Sequence, residues 1–317
     1  MTPQNPHIPN HPLSAAGFML MAAVIIGFTD NFVHLMAPDF GLWQFHFTRT
    51  AFAAPMMLIG ARVLKMPLWP RRWGGVLARS AIQSAAMMLY FGCLAFLSVA
   101  DVAAGLFTAP IIVLLISRLV FGQRFGIWRV LAVALGFAGI VLMLQPGTAS
   151  FRAVSLVPIA AAVLYAISNI ATRQWCSGES AATLTFGFFL ALFVWGCAGL
   201  VAMALIPHVV PVGADGFILR GWVAPNALFL KITLMQAAGS LVGVGFMVRA
   251  YQLAEASQVA VFEYLLLIAS AIWGAVLWGQ HFGPPELLGM AAIIGAGSII
   301  ALRSRFTAQA QAVTVAV

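Results

Sequence analysis

Trp278-Gly279-Gln280-His281-Phe282-Gly283 is a near copy of Phe121-Gly122-Gln123-Arg124-Phe125-Gly126, which lies 157 residues upstream, about half the chain away. At the same offset Ala132 meets Gly289 and Ala138 meets Gly295, so small residues coincide in the two copies. Further upstream Ala95 and Phe107 answer Ala250 and Phe262 at an offset of 155, and the polar step Asp30-Asn31 has a counterpart in Ser168-Asn169. Self-similarity at half the length points to two copies of one unit.

The composition says what kind of unit this is. The 317 residues are 62% hydrophobic and 8% charged, with a mean hydropathy of +1.01. A soluble domain carries about a quarter charged residues. Cutting at charges, prolines and turn residues leaves ten apolar runs, 14–36, 42–63, 78–98, 102–121, 127–145, 155–175, 182–206, 227–249, 257–279 and 285–303. A spanning helix needs roughly 20 apolar residues, and backbone polar groups in lipid must pair within the segment. The expected fold is therefore an all-α membrane protein of ten transmembrane helices. With five helices per copy the second copy is inverted, and inverted repeats around a midplane site mark secondary transporters.

The expected division is a first repeat over 14–146 and a second over 154–304. A cytoplasmic tail 1–13 precedes them and a small polar tail 305–317 follows, with the halves meeting at Pro146-Gly147-Thr148-Ala149-Ser150. The long 207–226 segment should lie outside. Lys and Arg test the orientation. Arg62, Lys65, Arg71, Arg72, Arg79, Arg118, Arg124, Arg129, Arg173, Arg249, Arg303 and Arg305 gather at one set of ends, against Arg152, Arg220 and Lys231 at the other. The positive-inside bias puts both termini in the cytoplasm of an inner-membrane protein. The net charge of +8 thus reads as topology, and nucleic acid is excluded as a partner because no basic face forms. No basic residue precedes the first run, so it is expected to be a retained helix and not a signal peptide. Cys93, Cys176 and Cys197 lack metal-like spacing, and no metal site or cofactor is expected.

Ionisable residues inside spans are candidates for function. Around a hairpin turn near 38–41, Asp30 and Arg49 are equidistant from the turn, as are His34 and His46. Asp30 and His34 share a face at i, i+4, and His46 and Arg49 at i, i+3, with Trp43 a turn further out. Arg49 could hold a carboxylate or phosphate and Asp30 could titrate; the alternative is an ion pair that only locks two helices. Around the next such turn Arg249 and Glu263 are equidistant from residue 256, which suggests a gate ion pair or, for Glu263, proton coupling. Asn31, Tyr90, Tyr165, Asn169, Gln236 and Trp273 complete the polar and aromatic stripes that could converge on a cavity, although single polar residues in membrane helices are more often interhelical glue. His34 to Asp39 also reads H-x4-D, a spacing used by some acyltransferases, but no nucleophile accompanies it.

Together these fragments resemble the drug/metabolite transporter superfamily in its ten-helix form with paired EamA-type repeats, over nearly all of 14–305. The carriers are Phe45-His46-Phe47-Thr48-Arg49, Ala100-Asp101 through Phe107-Thr108-Ala109-Pro110, Phe121-Gly122-Gln123 with Gly136-Phe137-Ala138-Gly139, Ala256-Ser257-Gln258-Val259-Ala260 with Phe262-Glu263-Tyr264, and Trp278-Gly279-Gln280. The resemblance implies alternating access for a small metabolite, with Asp30 and Arg49 similar to the acid and arginine of one branch. His34 stands where that branch often has a basic residue, and Gly-Gln replaces its usual Gly-Glu. The expected partners are a small amino-acid-like, zwitterionic or aromatic substrate, the lipid bilayer and, as a candidate coupling ion, the proton. The competing class is a membrane-embedded enzyme or sensor on a transporter-like scaffold.

Overall fold

The computed structural model describes residues 11–93, 99–123, 126–145, 156–207 and 209–315. The junction at Pro146–Ser150, together with Arg124 and Arg152, lies outside the described residues. The described part contains helices and no strand. In chain order they are α1 (Pro12–Asp30), α2 (Leu42–Val63), α3 (Trp73–Cys93), α4 (Val99–Leu106), α5 (Ala109–Leu119), α6 (Ile127–Leu144), α7 (Val157–Gln174), α8 (Ala181–Leu205), α9 (Ala227–Leu253), α10 (Ala256–Phe262), α11 (Leu265–Trp278) and α12 (Pro284–Val315). Short 3-10 turns occupy Val33–Leu35 and Gly213–Gly216.

Each predicted run carries helix, with differences in the first, third, fourth and ninth runs and at the tail. The first helix stops at Asp30, six residues early, because the Asn31 amide folds back to the Gly27 carbonyl at 2.7 Å and crosses to the Ser270 carbonyl at 2.9 Å. The third starts at Trp73 and so takes Arg79 into its body. The fourth and ninth runs are each broken in two, the fourth between Leu106 and Ala109 and the ninth between Phe262 and Leu265. In the fourth, Pro110 lacks the N–H a continuous helix needs and Thr108 Oγ1 bonds back to the Gly105 carbonyl at 2.7 Å. At the end of the chain the polar tail continues α12 as far as Val315, in keeping with the helix propensity of its alanines and glutamines.

The duplicated Gly-Gln motif is a duplicated helix stop. Gly122 follows α5 at φ +61° and Gly279 follows α11 at φ +67°, the left-handed conformation that ends a helix and that glycine adopts without strain.

Seven stretches among the described residues are long and apolar enough to cross a membrane: Pro12–Leu35, Val102–Leu119, Ile127–Leu144, Ala181–Leu205, Ala227–Leu253, Ala256–Trp278 and Pro284–Arg303. Two of them run through the broken helices. The other three predicted spans, α2, α3 and α7, are 22, 21 and 18 residues long. They fall outside the seven because they carry His46, Arg49, Arg79, Gln83, Ser168, Asn169 and Thr172, all of them buried. The least apolar helices are thus the ones that bring polar side chains inside.

The helices pair across the sequence: α6 with α12, α1 with α9, α2 with α8, α3 with α7, and α1 with α11. Gly139 and Gly289 make the α6–α12 crossing close. A Cβ on Gly139 would lie 2.7 Å from the Gly289 carbonyl oxygen. Turns then cluster at two ends. At one end the Arg71 and Arg72 amides donate to Glu179 Oε1 at 2.8 and 2.7 Å, and Arg129 pairs with Glu255 at 2.7 Å. At the other end the 206–226 segment covers the α1–α2 turn. Arg220 donates to the carbonyls of Ala37, Phe40 and Gly213, while Trp43 Nε1 donates to the Ile218 carbonyl at 2.7 Å.

Candidate functional site

Arg49 is 5% exposed in the middle of α2. One turn earlier on the same face, His46 Nδ1 accepts from Arg49 Nη2 at 3.1 Å. A guanidinium only donates, so this contact places the ring proton of His46 on Nε2. That Nε2 and Arg49 Nε are both buried without a partner. The guanidinium lies over the rings of Phe45 and Phe189, 4.9 and 5.6 Å from their centroids. Among the described residues no carboxylate comes within ion-pair distance of it.

Asp30, the last residue of α1, is the nearby acid. Its Oδ1 lies 3.5 Å from Gln236 Nε2 of α9, and its charge is felt by Arg49 on α2 and by Tyr90 on α3. Asp30 nevertheless keeps an exposed surface. An acid in a membrane helix that keeps open surface is a candidate for contact with a ligand or water. Gln236 is fixed beside it by donating to the Thr29 carbonyl at 2.7 Å. The result is an enclosed cation on α2 and a partly open acid at the end of α1, with two unused buried donors beside the cation.

A second polar centre forms where the ninth run breaks. Glu263, 4% exposed, accepts on one oxygen, Oε1, from Tyr251 OH at 2.8 Å, Tyr165 OH at 2.9 Å and Asn169 Nδ2 at 3.2 Å. The expected Arg249–Glu263 gate pair is not formed. Arg249 is exposed and lies 3.5 Å from Gln252 Oε1, because the turn directs Tyr251, two residues further on, towards the acid.

Of the sequence candidates, Asp30, Arg49, His46, Gln236 and Tyr90 come together at the first centre, and Tyr165, Asn169 and Glu263 at the second. The others do not join them. His34 was expected on the face of Asp30; with α1 ended it sits exposed in the 3-10 turn, 5.2 Å edge-on to Trp278. Asn31 ties α1 to α11 through Ser270. Trp273 does likewise through the Val24 carbonyl at 3.0 Å and an edge contact with Phe28. Trp43 borders a separate apolar cavity of about 400 Å³ with Met88, Gly92 and Trp195.

Two residues were missed. Tyr251 and Glu263 are equidistant from residue 257, so the reasoning that chose Arg249 would have chosen Tyr251 with the turn moved by one. Arg79, 1% exposed, precedes Gln83 by four residues on one face of α3 and was counted instead among the surface charges.

Residues 13–145 match the EamA-like transporter family. Riboflavin transporters are similar to the chain: that of Rhizobium johnstonii is 27% identical over 61% of this chain and 58% of its own length, and that of Vibrio cholerae 24% identical over 90% and 92%. The S-adenosylmethionine uptake transporter of Rickettsia prowazekii is 24% identical over 66% of this chain and 67% of its own. A solved crystal structure shares the fold with a TM-score of 0.70 at 17% identity, covering 92% of this chain and 98% of the other.

Proposed function

We propose that this chain, which belongs to the EamA-type transporters of the drug/metabolite transporter superfamily, is a ten-span secondary transporter that moves a zwitterionic or aromatic metabolite across the inner membrane by alternating access. Its repeats, 14–146 and 154–304, are inverted copies, and both termini are cytoplasmic. The observation that carries the substrate reading is Arg49: a buried guanidinium without a carboxylate contact, with its Nε and the His46 Nε2 unpartnered, and with Asp30 as the acid nearby. A buried cation without a counter-ion is costly, so a helix retains one where a ligand supplies the anion. Asp30, partly open at the end of α1, is the partner for an ammonium group. The alternative is an enzyme or sensor on this scaffold, which would form product without moving solute.

The inverted arrangement is supported by the helix pairings. Exchanging the first five spans for the last five turns α1·α9 into α7·α3, leaves α2·α8 and α6·α12 unchanged, and turns α1·α11 into α7·α5, and each of these pairs is in contact. The two breaks match as well, since interrupted spans at corresponding points of two halves flank the binding site of such transporters. Glu263, at the second break, is the residue we assign to proton coupling.

The test is flux in proteoliposomes of radiolabelled riboflavin, S-adenosylmethionine and a panel of amino acids, with and without a pH gradient. Saturable movement of at least one solute, abolished in Arg49→Gln, is expected; product formation without movement of solute would favour the enzyme. Reporter fusions after residues 124 and 281 should report opposite sides of the bilayer, and the same side for both would refute the inversion.

A further inference from the structure

Arg79 is the most completely enclosed charge among the described residues. Its Nε donates to Thr172 Oγ1 on α7 and its Nη1 to the Leu184 carbonyl on α8, both at 3.1 Å. Both acceptors are neutral, and a guanidinium has five N–H donors. A charge with relative exposure of 1% and no carboxylate partner is as unusual as Arg49. Its position is not arbitrary. Arg79 and Gln236 each donate to a main-chain carbonyl of the opposite half, Arg79 to Leu184 and Gln236 to Thr29. Arg79 lies near the end that carries the 64–72 loop, and Gln236 lies beside Asp30.

One face of α3 joins the two places. Arg79, Gln83 and Tyr90 are spaced four and seven residues apart, on one side of a helix. Tyr90 senses Asp30 at one end, and Arg79 senses Tyr165 of the Glu263 centre at the other. Between them Gln83, 3% exposed, has a buried Oε1 with no partner. An unsatisfied buried acceptor beside an uncompensated guanidinium suits a ligand that brings both an anion and a donor.

We propose that Arg79 is a second anion-recognition site, which receives the carboxylate of the substrate after it leaves Arg49 while Gln83 Oε1 accepts from its ammonium or hydroxyl group. This rests on the transport reading above. Arg49 and Arg79, both in the first half, would then provide one cation for each end of the pathway.

The experiment needs no known substrate. In the full chain with Cys93→Ala, Cys176→Ala and Cys197→Ala, Gln83→Cys is labelled in membrane vesicles with anionic sulfonatoethyl and cationic trimethylammonioethyl methanethiosulfonate. Each rate is normalised to a free thiol. Gln83 lies about 6 Å along the helix from Arg79, so the anionic reagent should react about tenfold faster than the cationic one. Arg79→Lys should keep that preference and Arg79→Gln should remove it. Equal rates with Arg79 in place overturn the proposal, as does a Gln83→Cys that stays inert while Tyr90→Cys reacts; both leave the transport reading standing. If neither cysteine reacts from either side, the pathway itself is refuted, and the transport reading with it.

Discussion

Replacing Arg49 with methionine separates a binding role from a structural one. In the folded protein Arg49 makes one hydrogen bond to His46 and lies over two aromatic rings. Three such contacts contribute about 1–2 kcal/mol each. Against them stands the desolvation of a charge that no carboxylate neutralises, several kcal/mol in practice. The two sides nearly cancel, and methionine fills similar volume without a charge. Arg49→Met should therefore melt within about 3 °C of wild type. Transport should respond very differently. Two charge-assisted contacts to a substrate anion are worth about 1.5–3 kcal/mol each, so their loss raises KM at least a hundredfold. Arg49→Lys, which keeps the charge but loses the planar fork, should fall between the two. The assay is thermal unfolding of the purified protein beside proteoliposome uptake under a saturating range of solute. A variant that unfolds several degrees lower while transporting with wild-type KM would refute the reasoning and make Arg49 a structural bolt.

Glu263→Gln should transport down a substrate gradient but lose its response to an imposed pH gradient, measured as uptake at equal and unequal pH; an unchanged response removes the coupling role. Gly289→Ala would put a Cβ 2.9 Å from the Met143 amide nitrogen at the α6–α12 crossing, and forcing the helices apart should destabilise the protein by about 1–3 kcal/mol, read as a lowered melting temperature. Arg220→Ala leaves three carbonyls without their donor and should loosen the 206–226 segment, so that chymotrypsin cuts near Phe217 or Trp222 faster than in wild type. If cleavage is unchanged, Arg220 does not hold that cover down.

The first helix shows how far a sequence argument reaches. Its existence and approximate span follow from apolarity over a stretch longer than the bilayer, a property of composition that packing does not alter. Its end does not follow. Hydropathy continues past residue 30, and the stop comes from Asn31 reaching Ser270, a residue 239 positions away. His34 left the candidate site for that reason alone. In α2 the periodic pairing of His46 and Arg49 was legible, because neighbours at i, i+3 on a helix are set by local geometry.

What the sequence determined by itself was a helical membrane chain, with Asp30, Arg49 and Glu263 as the acids and the cation to account for. Length, apolarity and self-similarity are local or one-dimensional, so they can be read without coordinates. Only the tertiary structure decided which partners those residues have: Arg49 without a carboxylate contact, Glu263 with two tyrosines and an asparagine in place of Arg249, and Arg79 enclosed instead of solvated. Partner choice depends on how helices far apart in the chain rotate about their axes, and that rotation is fixed by packing against neighbours that no single segment specifies.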